Sequence, residues 1–387
     1  MEKLFLLDAY ALIYRSYYAF IKNPRINSKG LNTSAIIGFV NTLQEVIEKE
    51  QPKYLGVAFD PHGLTFRSEA FPAYKAQREA TPEDIRKAVP IIKDLLAAYR
   101  IPVLQVDGFE ADDVIGTLAK KADSIETIET YMLTPDKDYG QLVSERTKIF
   151  RPRHGGGYEV MGPHEVCEKY AIENTTQVID LLALMGDSAD NFPGCPGVGE
   201  KTAAKIIADF GSVKQLLART DELKGALKKK VEEHVDDIKM SYFLATIRTD
   251  VPIELKLDEL QLQQPDEEKL SELFTELEFK ALTQRVLKKV EKKPKSNNSQ
   301  LSLFEEFATD DAETPKFSSF ETIKTVTHNY KLIENEEDLK KLCDLFRTKQ
   351  ILCLDTETTS TTAIDAELVG LSFAVTEHEA FYVPIPA

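Results

Sequence analysis

The chain has only four cysteines in 387 residues, Cys167, Cys195, Cys343 and Cys353, and none stands in a C-x-x-C pair. Their spacing suggests neither a zinc site nor a disulfide framework and leaves reduced, mostly buried thiols as the expected state. No apolar run approaches the roughly 20 residues that a membrane-spanning helix needs. The apolar start "LFLLDAYALIY" is broken by Asp8 and carries neither a basic leader nor a small-residue cleavage site, so a cytosolic protein is expected. Two catalytic signatures are missing as well. "GVGEKT" at 197–202 lacks the four residues that a P-loop places between its glycines. "HGGG" at 154–157 has no G-x-S-x-G partner and reads as a flexible hairpin.

A hydrophobic content of 42% over this length is enough to bury a real core and to build two or more domains. The formal charge of −16 is uneven: residues 301–387 hold 17 acidic and 7 basic side chains, the first 300 hold 47 and 41. Local basic patches rather than net charge set affinity for phosphates, so the balance does not exclude nucleic acid.

Three short apolar runs end in acid: "LFLLD" at Asp8, "YLGVAFD" at Asp60, and "YMLTPDKD" at Asp136 and Asp138. Each reads as a buried parallel strand, and they alternate with helical patterns such as 34–50 and 83–99, as βαβ units do. In such sheets the carboxyl ends of the strands line one crevice, where ligands bind. Any one of these aspartates could be a turn or capping residue. A crowd of unpaired carboxylates in one cleft instead costs several kcal/mol, roughly, unless cations neutralise it. Mg²⁺ or Mn²⁺ suits such oxygens.

"DGFEADDVIG" at 107–116 adds Glu110, Asp112 and Asp113 at the start of a helical stripe. Two readings stay open there: acids capping a helix N-terminus, or carboxylates recruited by a hard cation, since Glu110 and Asp113 repel each other on one helical face. In "LMGDSADNFPGCPGVGEKTAAKIIADFG" (184–211), glycines allow close backbone approach before a helix flanked by Lys201 and Lys205, which suits a phosphate; an ordinary Gly-Pro turn is the alternative. Residues 62–82 interleave Arg67, Lys75 and Arg78 with Phe66, Phe71 and Tyr74, as single-strand binders do, or as a solvated amphipathic loop would. From about 290 to 322 the composition is that of a linker. Inside it "QLSLF", Gln300 to Phe304, presents Leu301, Leu303 and Phe304, a pattern suited to docking in a partner's groove. Beyond the linker lie three strand-like runs, with Asp355 and Glu357 two apart on one strand face, and no crossover helix is read among them.

The blocks "LLDAYALIYRSYYAF", "VAFDPHGLTFRSEAFPAYKAQR", "GFEADDVIGTLA", "TPDKDYGQLV" and "LMGDSADNFPGCPGVGEKTAAKII" together resemble the 5′-nuclease domains of the bacterial DNA polymerase I and flap endonuclease family, over residues 1 to about 290. "LDTETTS" followed by "VGLSFAV" resembles the opening of that family's 3′–5′ exonuclease domain. The resemblance implies an α/β fold, a mostly parallel central sheet flanked by helices (PIN/5′-nuclease-like), with a helical helix–hairpin–helix subdomain and then an incomplete RNase H-like start. It divides the chain into a catalytic core at 1–175 with a helical arch at about 62–90, a DNA-binding subdomain at 176–290, a disordered linker at 291–325, and a truncated exonuclease start at 326–387. A fragment of a longer polymerase is expected.

The resemblance further implies that Asp8, Asp60, Glu110, Asp112, Asp113, Asp136, Asp138, Asp187 and Asp190 hold two divalent ions, Mg²⁺ or Mn²⁺. In that scheme one ion helps generate the attacking hydroxide and the other stabilises the departing oxygen. Arg67, Tyr74, Lys75 and Arg78 match the arch around the 5′ single strand, and Arg15 a basic residue near the active site. Gly197, Gly199, Lys201 and Thr202, with Lys205 beside them, match the hairpin that grips duplex phosphates and uses K⁺ in relatives. Asp355 and Glu357 match the first acidic pair of proofreading exonucleases, and "QLSLF" the motif that docks on the replication sliding clamp. The implied activity is removal of 5′ flaps and RNA primers, and cleavage at nicks, in replication and repair, by a monomer in the bacterial cytoplasm at the nucleoid. The competing expectation is a non-catalytic junction-binding module.

Overall fold

A computed structural model describes residues 1–153, 156–287, 329–349, 351–359, 366–376 and 378–385. They fall into two compact units, Met1–Glu306 and Phe307–Ala387.

The first unit is built around a six-stranded sheet. Its first residues form β1 (Glu2–Asp8), whose apolar run is buried on both faces: Leu4 and Leu6 join one core, Phe5 and Leu7 the other. Asp8 ends the strand and caps α1 (Ala9–Ala19), its Oδ1 accepting from the Ala11 N–H at 3.1 Å. Next come α2 (Ser34–Glu45), β2 (Tyr54–Ala58), the short α3 (Phe66–Ala70), α4 (Glu83–Ala98), β3 (Val103–Leu104), α5 (Ala111–Asp123) and β4 (Ile128–Leu133). A short 3-10 helix, Asp138–Leu142, leads to β5 (Thr147–Pro152), β6 (Tyr158–Met161) and α6 (Pro163–Tyr170). The sheet order is β3-β2-β1-β4-β5-β6, with every pair parallel except β5–β6. Helices α1, α2 and α4 cover one face, and α5 and α6 the other. This is the expected α/β class. The expected arch limit near 90 falls inside α4, whose Ile85, Ala88 and Val89 are core residues, so the segment before the core helix ends at about 82.

The rest of the unit is helical: α7 (Gln177–Met185), α8 (Glu200–Phe210), α9 (Val213–Ala218), α10 (Gly225–Glu233), α11 (Val235–Ala245), α12 (Leu257–Leu260), α13 (Glu267–Glu276) and α14 (Lys280–Val286). Helix α8 buries Ala203, Ile206, Ile207 and Phe210 at helical spacing, which turns Lys201, Thr202 and Lys205 to solvent.

The second unit is a four-stranded sheet of order β7-β10-β9-β8 with one helix, formed by β7 (Asn329–Leu332), α15 (Glu336–Arg347), β8 (Cys353–Thr358), β9 (Leu368–Thr376) and β10 (Glu379–Pro384). The three strand-like runs of the sequence are β8, β9 and β10; β7 and α15 are additions. Its core is small, centred on Ile333, Leu342 and Phe381.

Candidate active site

The strand ends do bring acids together. Asp8 closes β1, Asp60 stands two residues past β2, and Asp136 and Asp138 come after β4. Asp60 Oδ1 accepts from the Ala111 N–H at 2.8 Å, and this bond seats the start of α5, with Glu110 and Asp112, against the same edge. The turn after α7 adds Asp187 and Asp190. Its geometry needs glycine: Gly186 and Gly194 have φ of +70° and +61°, and a Cβ on Gly194 would collide with the Gly186 nitrogen. Between them Asp187 and Phe192 exchange backbone hydrogen bonds, which fold the acids back toward the sheet edge.

Cationic side chains and phenols stand among these carboxylates. Lys75 Nζ lies 2.7 Å from Glu110 Oε1 and 3.8 Å from Asp190 Oδ2, and Arg78 bonds Asp190. Lys137 Nζ donates to Asp187 Oδ2 at 2.7 Å. The Tyr74 hydroxyl meets both Glu110 Oε2 (3.0 Å) and Asp190 Oδ2 (3.2 Å). Asp8 Oδ2 accepts from the Tyr139 hydroxyl at 3.1 Å and from Thr134 Oγ1 at 3.3 Å.

The electrostatics reflect this crowding. Burial, reinforced by the Asp60 charge, pushes the Asp8 carboxyl up to about 7. Burial and the neighbouring Asp136 push Asp138 up to about 8. Asp60 and Asp112 are likewise raised by burial. Burial opposes the shift of Glu110, yet Lys75 and Arg67 hold it below its ordinary value. Lys137 similarly overcomes burial to lower Asp187. Carboxyls that burial pushes toward neutrality, and others held ionised only by borrowed cationic groups, form a site short of positive charge.

Two expectations are corrected. Arg67 is not available to a phosphate: it is 1% exposed, and its guanidinium is bound to Asp113, Glu110 and two backbone carbonyls. Asp113 is not free to ligate an ion, because it is fully buried and accepts four hydrogen bonds, two from Arg67 and one each from the Glu110 and Arg248 N–H groups. Capping therefore explains Asp113, which closes a capping box with the N-cap residue Glu110, while the Glu110 carboxylate also meets Tyr74 and Lys75. Tyr74, expected on the arch, is 6% exposed.

Of the remaining positions, Arg15 is exposed on α1 and donates to the Arg153 carbonyl at 3.2 Å. Gly197 has φ +76°, Gly199 precedes α8, and Lys230 Nζ lies where a Cβ on Gly197 would be crowded. Asp355 and Glu357 lie exposed on β8 in the second unit. Gln300–Phe304 and the linker lie outside the described residues. Sequence reasoning missed Lys137, which the acid-flanked "DKD" could have signalled, and Tyr139, which no local pattern marks.

The donor set is chemically suited to a hard divalent cation: every candidate oxygen is a carboxylate, and Asp138 Oδ1 is buried without a hydrogen-bond partner. Among the described residues, however, no three such groups are gathered closely enough to clasp one ion as they stand, and Lys75, Arg78 and Lys137 pair with Glu110, Asp190 and Asp187.

Two family models match the chain, a 5′-3′ exonuclease N-terminal resolvase-like domain over residues 3–171 and a 5′-3′ exonuclease C-terminal SAM fold over 173–268. A 5′-3′ exonuclease of Aquifex aeolicus is 38% identical over 286 residues, which are 74% of this chain and 96% of that protein. DNA polymerase I of Bacillus subtilis is 42% identical over 288 residues, 74% of this chain but 32% of that protein. DNA polymerase I of Borreliella burgdorferi is 32% identical over 387 residues, all of this chain and 42% of that one. The chain thus spans about a third to two fifths of the polymerases it matches. Among solved structures, a bacteriophage T5 flap endonuclease complexed with DNA and metal ions shares the fold at TM-score 0.55 and 20% identity, over 72% of this chain and all of that one. From the models and the Aquifex relative together, the chain belongs to the 5′-3′ exonuclease family.

Proposed function

We propose that the chain is a structure-selective 5′-nuclease that hydrolyses phosphodiesters at 5′ flaps, nicks and RNA primers during DNA replication and repair. The observation that carries this reading is the gathering of Asp8, Asp60, Glu110, Asp112, Asp136, Asp138, Asp187 and Asp190 at one edge of a parallel sheet, with one buried oxygen left unbonded. Those eight would hold two divalent ions, Mg²⁺ or Mn²⁺, and the metal ions of the T5 structure support the assignment. When bound, such ions polarise a phosphate and make a nearby water acidic.

The chain's own residues do the rest. Thr134 and Tyr139 fix one oxygen of Asp8, and Arg67 and Asp113 fix Glu110. Lys75 and Arg78, released from Glu110 and Asp190 once the acids are neutralised, become free to contact the phosphates of a 5′ strand. Gly197, Gly199, Lys201, Thr202 and Lys205 present backbone N–H groups and ammonium charge to a duplex phosphate, with K⁺ beside them, and Arg15 adds charge near the cleft. No base is read, so selectivity comes from the shape of the junction.

We assign residues 1–175 to catalysis and 176–290 to duplex binding. We assign Gln300, Leu301, Leu303 and Phe304 to docking on the sliding clamp. Residues 326–387 open a proofreading exonuclease domain in which Asp355 and Glu357 are its first acids. The protein acts as a monomer in the cytoplasm; among the described residues no helix is long and apolar enough to cross a membrane. Cleavage of a labelled 5′-flap DNA that requires Mg²⁺ tests the reading. Tight binding to the junction without cleavage would make the chain a recognition module instead.

A further inference from the structure

The last turn of α11 and the residues after it are bonded in an unusual way. Their backbone groups are met by side chains from the catalytic half of the unit. Arg67 Nε donates to the Leu244 carbonyl and Nη2 to the Thr246 carbonyl, both at 2.9 Å. Gln141 Nε2 donates to the Ala245 carbonyl at 2.9 Å, and its Oε1 accepts from the Ile247 N–H at 2.8 Å. Asp113 Oδ1 accepts from the Arg248 N–H at 2.8 Å.

Each of these side chains also reaches an acid-bearing segment. Arg67 uses its remaining donors on Glu110 (2.9 Å) and on both oxygens of Asp113 (2.8 Å), so all five guanidinium N–H groups are occupied. Gln141 Nε2 also bonds the Asp138 carbonyl at 3.1 Å. Further up α11, the wholly buried Ser241 accepts from the Gly194 N–H at 2.8 Å, in the turn that carries Asp187 and Asp190 and leads to the Gly197–Gly199 hairpin. Helix α11 and the residues just after it are therefore hydrogen-bonded, directly or through Arg67, to all three segments that deliver acids from outside β1 and β2.

We propose that α11 and residues 244–248 register the acid cluster against the duplex-binding helices, and that Arg67 and Gln141 are the positioning residues of this coupling. Neither touches substrate. Arg67 is 1% and Gln141 7% exposed. Their buried polar groups have no solvent to fall back on, so removing one partner leaves donors and acceptors unsatisfied and lets the acid it steadies drift. A displacement of about 1 Å at such a site can cost about a hundredfold in rate. A lysine at 67 keeps the charge but has at most three donors in a different geometry.

The inference rests on the nuclease reading, and its test separates the two. Arg67→Lys and Gln141→Met are made in the full chain and compared with the parent in three ways. These are the anisotropy-derived affinity for a 5′-flap DNA in Ca²⁺ across a salt series, the single-turnover cleavage rate at saturating DNA, and Mg²⁺ titration calorimetry without DNA. The expected result is a saturating rate lower by about ten- to a hundredfold, weaker Mg²⁺ binding, and a flap affinity and salt slope close to the parent's. The double variant should lose less than the product of the single losses, because both act through residues 244–248. Flap affinity that falls with a shallower salt slope, at an unchanged saturating rate, would make Arg67 a phosphate contact and overturn the proposal. If Arg67→Lys fails to fold by circular dichroism, Gln141→Met decides by the same readouts. If the parent itself does not cleave, the nuclease reading fails, and the calorimetry still decides the coupling: unchanged Mg²⁺ heats in both variants overturn it.

Discussion

The fold drives the carboxyls of Asp8 and Asp138 toward neutrality, to about 7 and about 8. The unfolded chain releases both protons near 3.8. Above that pH the folded protein therefore binds more protons than the unfolded one, and metal-free stability falls as pH rises, levelling off only above about 8. Thermal melts in a chelator from pH 5 to 9 should show a declining Tm, with Asp138→Asn flattening the decline; a Tm that rises across this range would contradict the charge balance. The same protons must leave when a divalent ion binds, so Mg²⁺ titrations at pH 6.5 should release protons, measured as a dependence of the heat on buffer ionisation. The local sequence was a good guide to the strand-end acids, because each sits at the end of an apolar run. It misled at Arg67, whose setting among Phe66, Phe71 and Tyr74 looks like that of a DNA contact. Its partners Asp113 and Leu244 are 46 and 177 residues away, and no local pattern carries that information.

Among the elements, the turn between α7 and α8 has the narrowest tolerance. Gly194 combines a positive φ with a backbone approach that leaves no room for a methyl group. Gly194→Ala should cost more than about 1 kcal/mol of stability. Because Asp187 and Asp190 hang on this turn, cleavage should fall more steeply than the Tm. A variant with parental melting and rate would show that the turn adapts. The long strands β1, β2 and β4 were legible as apolar runs of parallel-sheet length, and α2 and α4 as amphipathic stripes. Strand β3 has two residues and no pattern to read. In the second unit β7 is four residues with no run long enough to read, while α15 carries Leu339, Leu342, Leu345 and Phe346 at helical spacing, a stripe that the reading of the three strand-like runs passed over.

For the whole molecule, a formal charge of −16 coexists with a locally basic surface. The charge is concentrated after residue 300, and Lys201, Lys205 and Lys230 are exposed around the Gly197 hairpin. Flap affinity should thus fall linearly on a log–log salt plot, and Lys201→Ala should reduce the slope by about one; an unchanged slope would remove that residue from the interface. The central claim is that the acids at the sheet edge serve Mg²⁺-dependent hydrolysis, and it is tested most directly by incubating the full chain and its Asp138→Asn variant with a labelled 5′-flap DNA over a Mg²⁺ series. Cleavage near the junction by the parent, absent in chelator and lower by at least about a thousandfold in the variant, which still binds the flap, is the predicted result. A variant that cleaves at the parental rate, or a parent that binds the flap and never cuts it, would contradict the claim.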